Sequence, residues 1–307
     1  MILCCGEALI DMIPSDHEMA FKPLAGGAVF NTAIGIGRQG VDVGLLSGVS
    51  TDLFGTILEN ALEESGVNTS YLNRSSRPTT LAFVTLENGQ ASYAFYDENT
   101  AGRMMQPEDM PQVLSEDIKA LFFGGISLAV EPCAEAYAGV LRKNKGGRLV
   151  MLDPNIRPAF INDEARYRAR IAEMISHCDI IKISDEDLSW ISAKDHPRGK
   201  QVADILSQGP EFVCLTLGSK GVEIYDKSGL CFETPAPKVT VVDTVGAGDA
   251  FNAGFLVSLK RLNALSRSEL CKQSRTSLEG AVRFATAFAS DTATRRGSDP
   301  AWNFIAP

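Results

Sequence analysis

What most constrains the fold of this 307-residue chain is an alternation of two kinds of segment. Short apolar runs at residues 2–9, 43–49, 120–124, 148–152, 179–183 and 212–217 alternate with segments of helical spacing at 32–38, 53–64, 132–143 and 164–176. A strand that is apolar on both faces needs cover on both, and parallel strands need a long crossover, which a helix provides. The alternation therefore predicts an α/β fold, a three-layer α/β/α sandwich around a mostly parallel central sheet, with right-handed crossovers. No repeat or low-complexity linker divides the sequence, so residues 1–307 read as one domain.

One stretch breaks the pattern. Residues 80–86 and 91–96 are β-rich and are separated by Glu87-Asn88-Gly89-Gln90, in which Asn-Gly is a strong two-residue hairpin signal. Such a hairpin does not easily join a parallel sheet, so it reads as a small β lid built from segments of about 12–24 and 79–98. Strand alternation puts Tyr93, Phe95 and Asp97 on one face and Ala94 and Tyr96 on the other. Aromatics on a flap suit a ligand cover, a dimer contact or packing on the body.

A net charge of -9 excludes a general affinity for nucleic acid or anionic membrane, both of which need basic stripes. The seven cysteines are dispersed without a C-x-x-C pair, which fits reduced thiols and a cytoplasmic protein. The N-terminus lacks a basic n-region, and no apolar run approaches the length of a membrane span. G-x-x-x-x-G-K-[ST], G-x-G-x-x-G after the first strand and G-x-S-x-G are all missing. His17, His177 and His196 lie too far apart for zinc-ligand spacing.

The chemistry concentrates in Asp243-Thr244-Val245-Gly246-Ala247-Gly248-Asp249-Ala250-Phe251, preceded by strand-like residues 238–242 and followed by a helix to about residue 262. Small residues at a helix start expose backbone N–H groups with the positive end of the helix dipole behind them, which makes an anion site. Asp249 then stands beside a phosphate position. It suits a general base for a hydroxyl while the amides neutralise a transferring phosphoryl group, and it equally suits an N-capping residue on a Gly-rich turn.

Other polar groups fall where an open α/β sheet binds ligands, at the carboxyl ends of its strands. Asp11 ends the first run, as a ligand group or as a turn-initiating residue. Gly26 and Gly27 precede Asn31, whose amide both donates and accepts; they read as a close approach to a ligand or as a tight turn before a satisfied core amide. Asp153 and Asn155 with Arg157 form a loop fenced by prolines, and Thr216 leads into Gly218-Ser219-Lys220-Gly221, either a phosphate turn or a hairpin loop. Ser184 with Asp187 three residues on reads as a capping box, with a water-mediated Mg²⁺ contact by Asp187 as the second reading. After a helix at 276–290, Thr294-Arg295-Arg296-Gly297-Ser298 forms a loop.

With these residues in place, the chain resembles the ribokinase-like (PfkB) family of sugar and nucleoside kinases along nearly its full length. Residues 243–251 look like the family's C-terminal motif. Gly26-Gly27-Ala28-Val29-Phe30-Asn31 with Gly48-Val49-Ser50-Thr51-Asp52-Leu53-Phe54-Gly55 resembles its N-terminal signature, with Ser50 where glycine is usual. The resemblance implies Asp249 as base and Gly246, Ala247 and Gly248 as anion hole. It assigns Asp11, Gly26, Gly27, Asn31, Arg103, Asp153, Asn155 and Arg157 to the sugar, with Arg103 either on substrate or paired with a lid acid. It assigns Lys182, Ser184, Thr216, Gly218 and Gly221, with Gly246 and Gly248, to the nucleotide. Asp243 and the carbonyls of Val245, Thr292, Arg295 and Gly297 match a monovalent-cation site. Asp187 stands where the family commonly has Glu and is one methylene shorter for the Mg²⁺ water.

The same resemblance implies an ATP-dependent kinase that uses Mg²⁺ and K⁺ and phosphorylates a hydroxymethyl hydroxyl. The 153–158 loop, Lys182-Ile183-Ser184 and the lid run with Thr100, Ala101 and Arg103 look most similar to bacterial fructokinases. Kinases of 2-keto-3-deoxygluconate, ribose, aminoimidazole riboside and adenosine share much of the pattern, and a non-catalytic binder of the same family is a further alternative. A dimer clasped through the lids and a monomer with a closing flap read alike in the sequence.

Overall fold

The apolar runs become strands because each finds a parallel neighbour. A computed structural model describes residues 1–15, 20–87, 90–192 and 196–306, and of 84–87 and 90–93 the backbone alone. The first third of the chain runs β1 (Ile2–Cys5), β2 (Leu9–Pro14), β3 (Phe21–Gly26), α1 (Ala28–Arg38), β4 (Val43–Ser50), α2 (Leu53–Glu64), β5 (Val67–Asn68), β6 (Leu72–Ser75), β7 (Leu81–Glu87) and β8 (Gln90–Tyr96). Regular alternation comes next with β9 (Ala120–Gly124), α3 (Cys133–Asn144), β10 (Leu149–Asp153), α4 (Glu164–His177), β11 (Ile180–Ser184), α5 (Asp185–Ile191), α6 (Arg198–Leu206) and β12 (Phe212–Thr216). The chain closes with β13 (Val222–Asp226), β14 (Gly229–Thr234), α7 (Ala247–Arg261), α8 (Arg267–Leu270) and α9 (Arg275–Thr292).

Ten strands form the main sheet in the order β14-β13-β12-β11-β10-β9-β1-β4-β5, with β6 also paired to β4. From β12 to β5 every pairing is parallel, and the β12-β13-β14 end is antiparallel. Successive side chains of β1 enter separate cores: Ile2 and Cys4 pack with Phe251 and Phe288, while Leu3 and Cys5 pack with Tyr137 and Ile171. One sheet thus separates two apolar layers, giving three layers in all. On the first face α7 packs against α1 and α9, and on the second α3 packs against α4.

The small sheet has the order β3-β2-β7-β8. Its hairpin pairs Leu81 with Tyr96 and Glu87 with Gln90, as the Asn88-Gly89 signal requires, although that dipeptide lies outside the described residues. Phe95 packs edge-on against Phe160 at 4.4 Å, tying the lid to the body, whereas Tyr96 is 63% exposed and meets Phe83 at 5.4 Å. The side chain of Tyr93 is also outside the described set.

Three expectations need correction. The run at 2–9 is not one strand: it ends at Cys5 and restarts at Leu9 in the other sheet, because the Glu7 side chain turns into buried helix ends. Asp11 accordingly belongs to the small sheet and not to the carboxyl edge of a main-sheet strand. Residues 238–242 form no strand. Their β-branched composition suits one, but Val241 and Val242 are more than half exposed, and the Val242 and Asp243 amides go instead to the Ala293 carbonyl. Helix α1 starts at Ala28, four residues earlier than the spacing indicated, so Asn31 lies inside its first turn.

Candidate active site

Strand register gathers the polar residues. Asp153, Ser184 and Thr216 are the last residues of β10, β11 and β12, with Ser184 paired to Thr216 and Asp153 to Gly124 at the end of β9. They step along the carboxyl edge of the parallel sheet. Helix α7 brings its first turn to the same edge, with Gly246 as N-cap at φ 77° and ψ -4°, a left-handed conformation in which a side chain is strained. A Cβ at Gly246 would also lie 2.2 Å from Ser298 Oγ. Position 246 therefore has to be glycine for this turn to form; within it the Ala247 N–H donates to the Thr244 carbonyl at 3.3 Å, leaving the Gly246 and Gly248 amides as the cradle.

Asp249 sits in that first turn and is 8% exposed. Its Oδ2 accepts a hydrogen bond from Asn31 Nδ2 at 2.9 Å. Burial pushes its carboxyl up to about 7, against the Asn31 bond; the negative charges of Asp153 and Glu7 act in the same direction as burial, and Lys182 opposes them.

Behind it lies a buried ion pair. Asp153 Oδ2 accepts from Lys182 Nζ at 2.9 Å and from Asn252 Nδ2 at 2.7 Å. Asp153 Oδ1 is buried with no protein donor, which leaves one acceptor without a partner. Burial would lower the Lys182 ammonium, yet the Asp153 carboxylate, helped by Asp187 and Asp249, holds it above the ordinary lysine value. A Cβ at Gly248 would stand 3.2 Å from Lys182 Nζ, so this charge lies directly beneath the amide cradle.

Asp11 reaches the site from the small sheet. Its Oδ2 would be 2.2 Å from a Cβ at Gly26, which places the carboxylate against the Gly26-Gly27 loop, and desolvation pushes it up to about 6. Asn155 has φ 44°, and the neighbouring Ile156 N–H donates to Asp187 Oδ1 at 3.2 Å. Ser184 Oγ accepts from Asp187 N at 3.0 Å, the cap that the spacing indicated. Burial, with the charge of Asp153, pushes Asp187 up to about 6. Arg157 turns one guanidinium N–H to the Ile156 carbonyl. Arg103 donates to the Glu131 carbonyl and lies 3.8 Å from Asp97, the lid-acid pairing among its two readings.

Toward the nucleotide side, Thr216 Oγ1 donates to the Ile183 carbonyl at 3.4 Å. Leu217 N–H donates to the Gly221 carbonyl at 2.8 Å, closing the turn that holds Gly218 at φ 55°. The Asp243 carboxylate joins two loops, accepting from Val245 N at 3.0 Å and Gly297 N at 2.9 Å. The Thr292 carbonyl accepts from Arg295 N, whose guanidinium turns away to Asp291. Asp243 thus ties Val245 to Gly297, and the adjoining Thr292 and Arg295 are joined by a turn bond, with the Asp243 and Thr292 oxygens taken by backbone N–H groups. Among the described residues no group of three or more His, Cys, Asp or Glu could hold a metal.

Two residues at the site escaped the sequence reading. Asn252 falls three positions after Asp249, one helical turn along α7, and that spacing was the available signal. Glu7 carried no signal beyond being an acid in an apolar run.

Residues 1–303 match the pfkB family of carbohydrate kinases. The chain is 48% identical over 274 residues to a fructokinase of Rhizobium leguminosarum bv. trifolii, covering 88% of this chain and 83% of the relative. It is 33% identical to a probable chloroplastic fructokinase-6 of Arabidopsis thaliana, over 98% of this chain and 79% of that one. A Xylella fastidiosa fructokinase solved with bound ATP superposes with a TM-score of 0.90 at 29% identity, over 97% of this chain and 93% of that one. The architecture and the amide cradle beside a buried carboxylate are those of a phosphoryl-transfer enzyme. The chain belongs to the pfkB family of carbohydrate kinases.

Proposed function

We propose that this chain is an ATP-dependent fructokinase, forming fructose 6-phosphate and ADP. The observation that carries the reading is the placement of Asp249, buried in the first turn of α7 beside the Gly246 N-cap, held by the Asn31 amide and facing the Asp153–Lys182 pair. The 48% identity to a bacterial fructokinase supports fructose as the sugar.

In the reaction, Asp249 accepts the proton of the hydroxymethyl group as its oxygen bonds to the γ-phosphorus and the bond to the β,γ-bridging oxygen breaks. A carboxyl near 7 is well matched to that exchange at neutral pH. The cradle amides and Lys182 beneath them face the charge on the moving phosphoryl group. Asp153 Oδ1 and Asp11 hold sugar hydroxyls, with Asn31, Asn155 and Arg157 at the rim and Gly26 and Gly27 letting the backbone approach. Thr216, Gly218 and Gly221, with Ser184, border the nucleotide. Mg²⁺ would neutralise phosphate charge when bound, and Asp187, which stands where the family commonly has Glu, would be the carboxylate to orient its water. K⁺ would be held by the carbonyls of Val245, Thr292, Arg295 and Gly297 beside Asp243, whose carboxylate links the two loops.

The Phe21, Phe83 and Tyr96 rings form a row on the lid, which suits a lid-to-lid dimer, and sedimentation tests it. All seven cysteines are free and five are buried, in keeping with a cytoplasmic, reducing setting. Among the described residues no helix is long and apolar enough to cross a membrane.

Incubation with ATP, Mg²⁺ and a sugar panel tests the assignment. Fructose should release ADP at the highest kcat/KM among fructose, ribose, aminoimidazole riboside, adenosine and 2-keto-3-deoxygluconate. Release with another of these and not with fructose overturns the substrate, and release with none favours a binding protein.

A further inference from the structure

Glu7 is 7% exposed, and no step of the phosphoryl transfer uses it. Its carboxylate bridges two elements. Oε1 accepts from Ala28 N at 3.0 Å, at the first residue of α1, whose own N-cap Gly27 has no side chain to cap with. Oε2 accepts from Ser127 N at 3.3 Å, in the 3-10 turn Ile126–Leu128 after β9. The Glu7 main-chain carbonyl also accepts from Phe30 N. A Cβ at Gly125 would fall 2.0 Å from Oε1, so that glycine is the space the carboxylate occupies.

Each arm leads to one half of the site. Along α1, one turn beyond the capped end, Asn31 holds the Asp249 carboxylate. On the other side, Gly125 N donates to the Asp153 carbonyl at 3.4 Å. We infer that Glu7 is a positioning residue for phosphoryl transfer, fixing through one buried carboxylate the spacing between the Asn31–Asp249 pair and the strand end that carries Asp153. The inference rests on Asp249 being the base. It goes beyond that assignment because the Glu7 carboxylate bonds to Ala28 N and Ser127 N, and its main chain backs Gly27, so it acts through these elements and not on Asp249.

The charges facing Asp249 are Asp153 from β10, Lys182 from β11 and Glu7. Around Glu7, α3 presents Cys133 and Tyr137, both kept protonated by burial. Burial raises Glu7 as well, opposed by its N–H donors. Its negative charge helps hold the Asp249 carboxyl up.

Glu7→Gln keeps the shape, removes the charge and replaces one acceptor by a donor. It should lower kcat by about tenfold to a hundredfold, as misplacement of a reacting group does. It should also move the acidic limb of the kcat/KM profile to higher pH, because the loosened Asn31 bond, a larger influence on Asp249 than the Glu7 charge, no longer favours the ionised carboxylate. Glu7→Asp keeps the charge but falls short of both donors, so kcat should drop and the limb should move the same way. A Glu7→Gln enzyme whose acidic limb stays where the wild type has it overturns the inference, whatever its kcat. Should Glu7→Gln fail to fold, Glu7→Asp decides, and wild-type kcat there overturns it. Near wild-type activity of Asp249→Asn would instead remove the base assignment, a result independent of both Glu7 variants.

Discussion

Asn31 Nδ2 donates to Asp249 Oδ2 across 218 positions of sequence, joining the first turn of α1 to the first turn of α7. Removing the charge in Asp249→Asn should cut kcat by about 10² to 10⁴ with little change in ATP affinity. The Asn31 bond favours the ionised carboxylate, so Asn31→Ala should raise the pKa of the base and move the acidic limb upward. Steady-state rates across pH check both, and an Asn31→Ala limb that moves downward contradicts the geometry.

The wild-type enzyme should lose kcat/KM as pH falls through about 7, because a base must be ionised to accept a proton and Asp249 titrates there. The same shift costs stability. A carboxyl held at about 7, against an ordinary 3.8, contributes stability that is full below about pH 4 and lost as pH rises toward 7. Asp249→Asn should therefore be more stable than wild type at pH 8, by on the order of 1 to 3 kcal/mol, and no more stable at pH 4. Denaturant melts at the two pH values measure the difference.

Lys182→Met leaves Asp153 buried with Asn252 as its one side-chain donor. Breaking a buried pair from one side should destabilise the protein by roughly 3 to 5 kcal/mol. Adding Asp153→Asn to that variant should restore much of the stability and none of the activity. Urea unfolding of the single and double variants separates this pair from a surface ion pair, whose loss would scarcely register.

Gly246→Ala should reduce kcat by at least about 10², since both the left-handed backbone and the space are lost. Ser298→Ala should not rescue it: the added Cβ would still stand 2.5 Å from the Ser298 Cβ and 2.8 Å from its Cα. Recovery in the double variant would show that the hydroxyl alone was the obstacle.

Replacing K⁺ by tetramethylammonium should slow the wild type, because the cation is too large for the 243–297 junction. Asp243→Asn turns one acceptor into a donor facing either Val245 N or Gly297 N, and should make the rate indifferent to K⁺. Equal wild-type rates in the two salts would exclude the cation site.

The layered fold was legible because strand burial and helix amphipathicity are local properties of sequence. Its errors arose where tertiary partners decide. Residues 238–242 have strand composition and no strand to pair with, and Glu7 splits an apolar run that reads as continuous. The motif at 243–251 announced an anion cradle and a carboxylate through backbone requirements alone. The link from Asp249 to Asn31, and from Asp153 to Lys182 and Asn252, joins segments remote in the chain, and no spacing within one sequence encodes them.

Asp11 rides on the small sheet, whereas Asn31, Asp153 and Asp249 belong to helices and strands of the body. If Asp11 holds a sugar hydroxyl as proposed, trimming or exchanging the lid should change sugar preference. A chimera that takes β2, β3, β7 and β8 from a relative with another substrate inherits that relative's residue at position 11 while keeping its own base. Under the proposed reading such a chimera exchanges one sugar contact, Asp11, while Asn31, Asp153 and the base stay with the body.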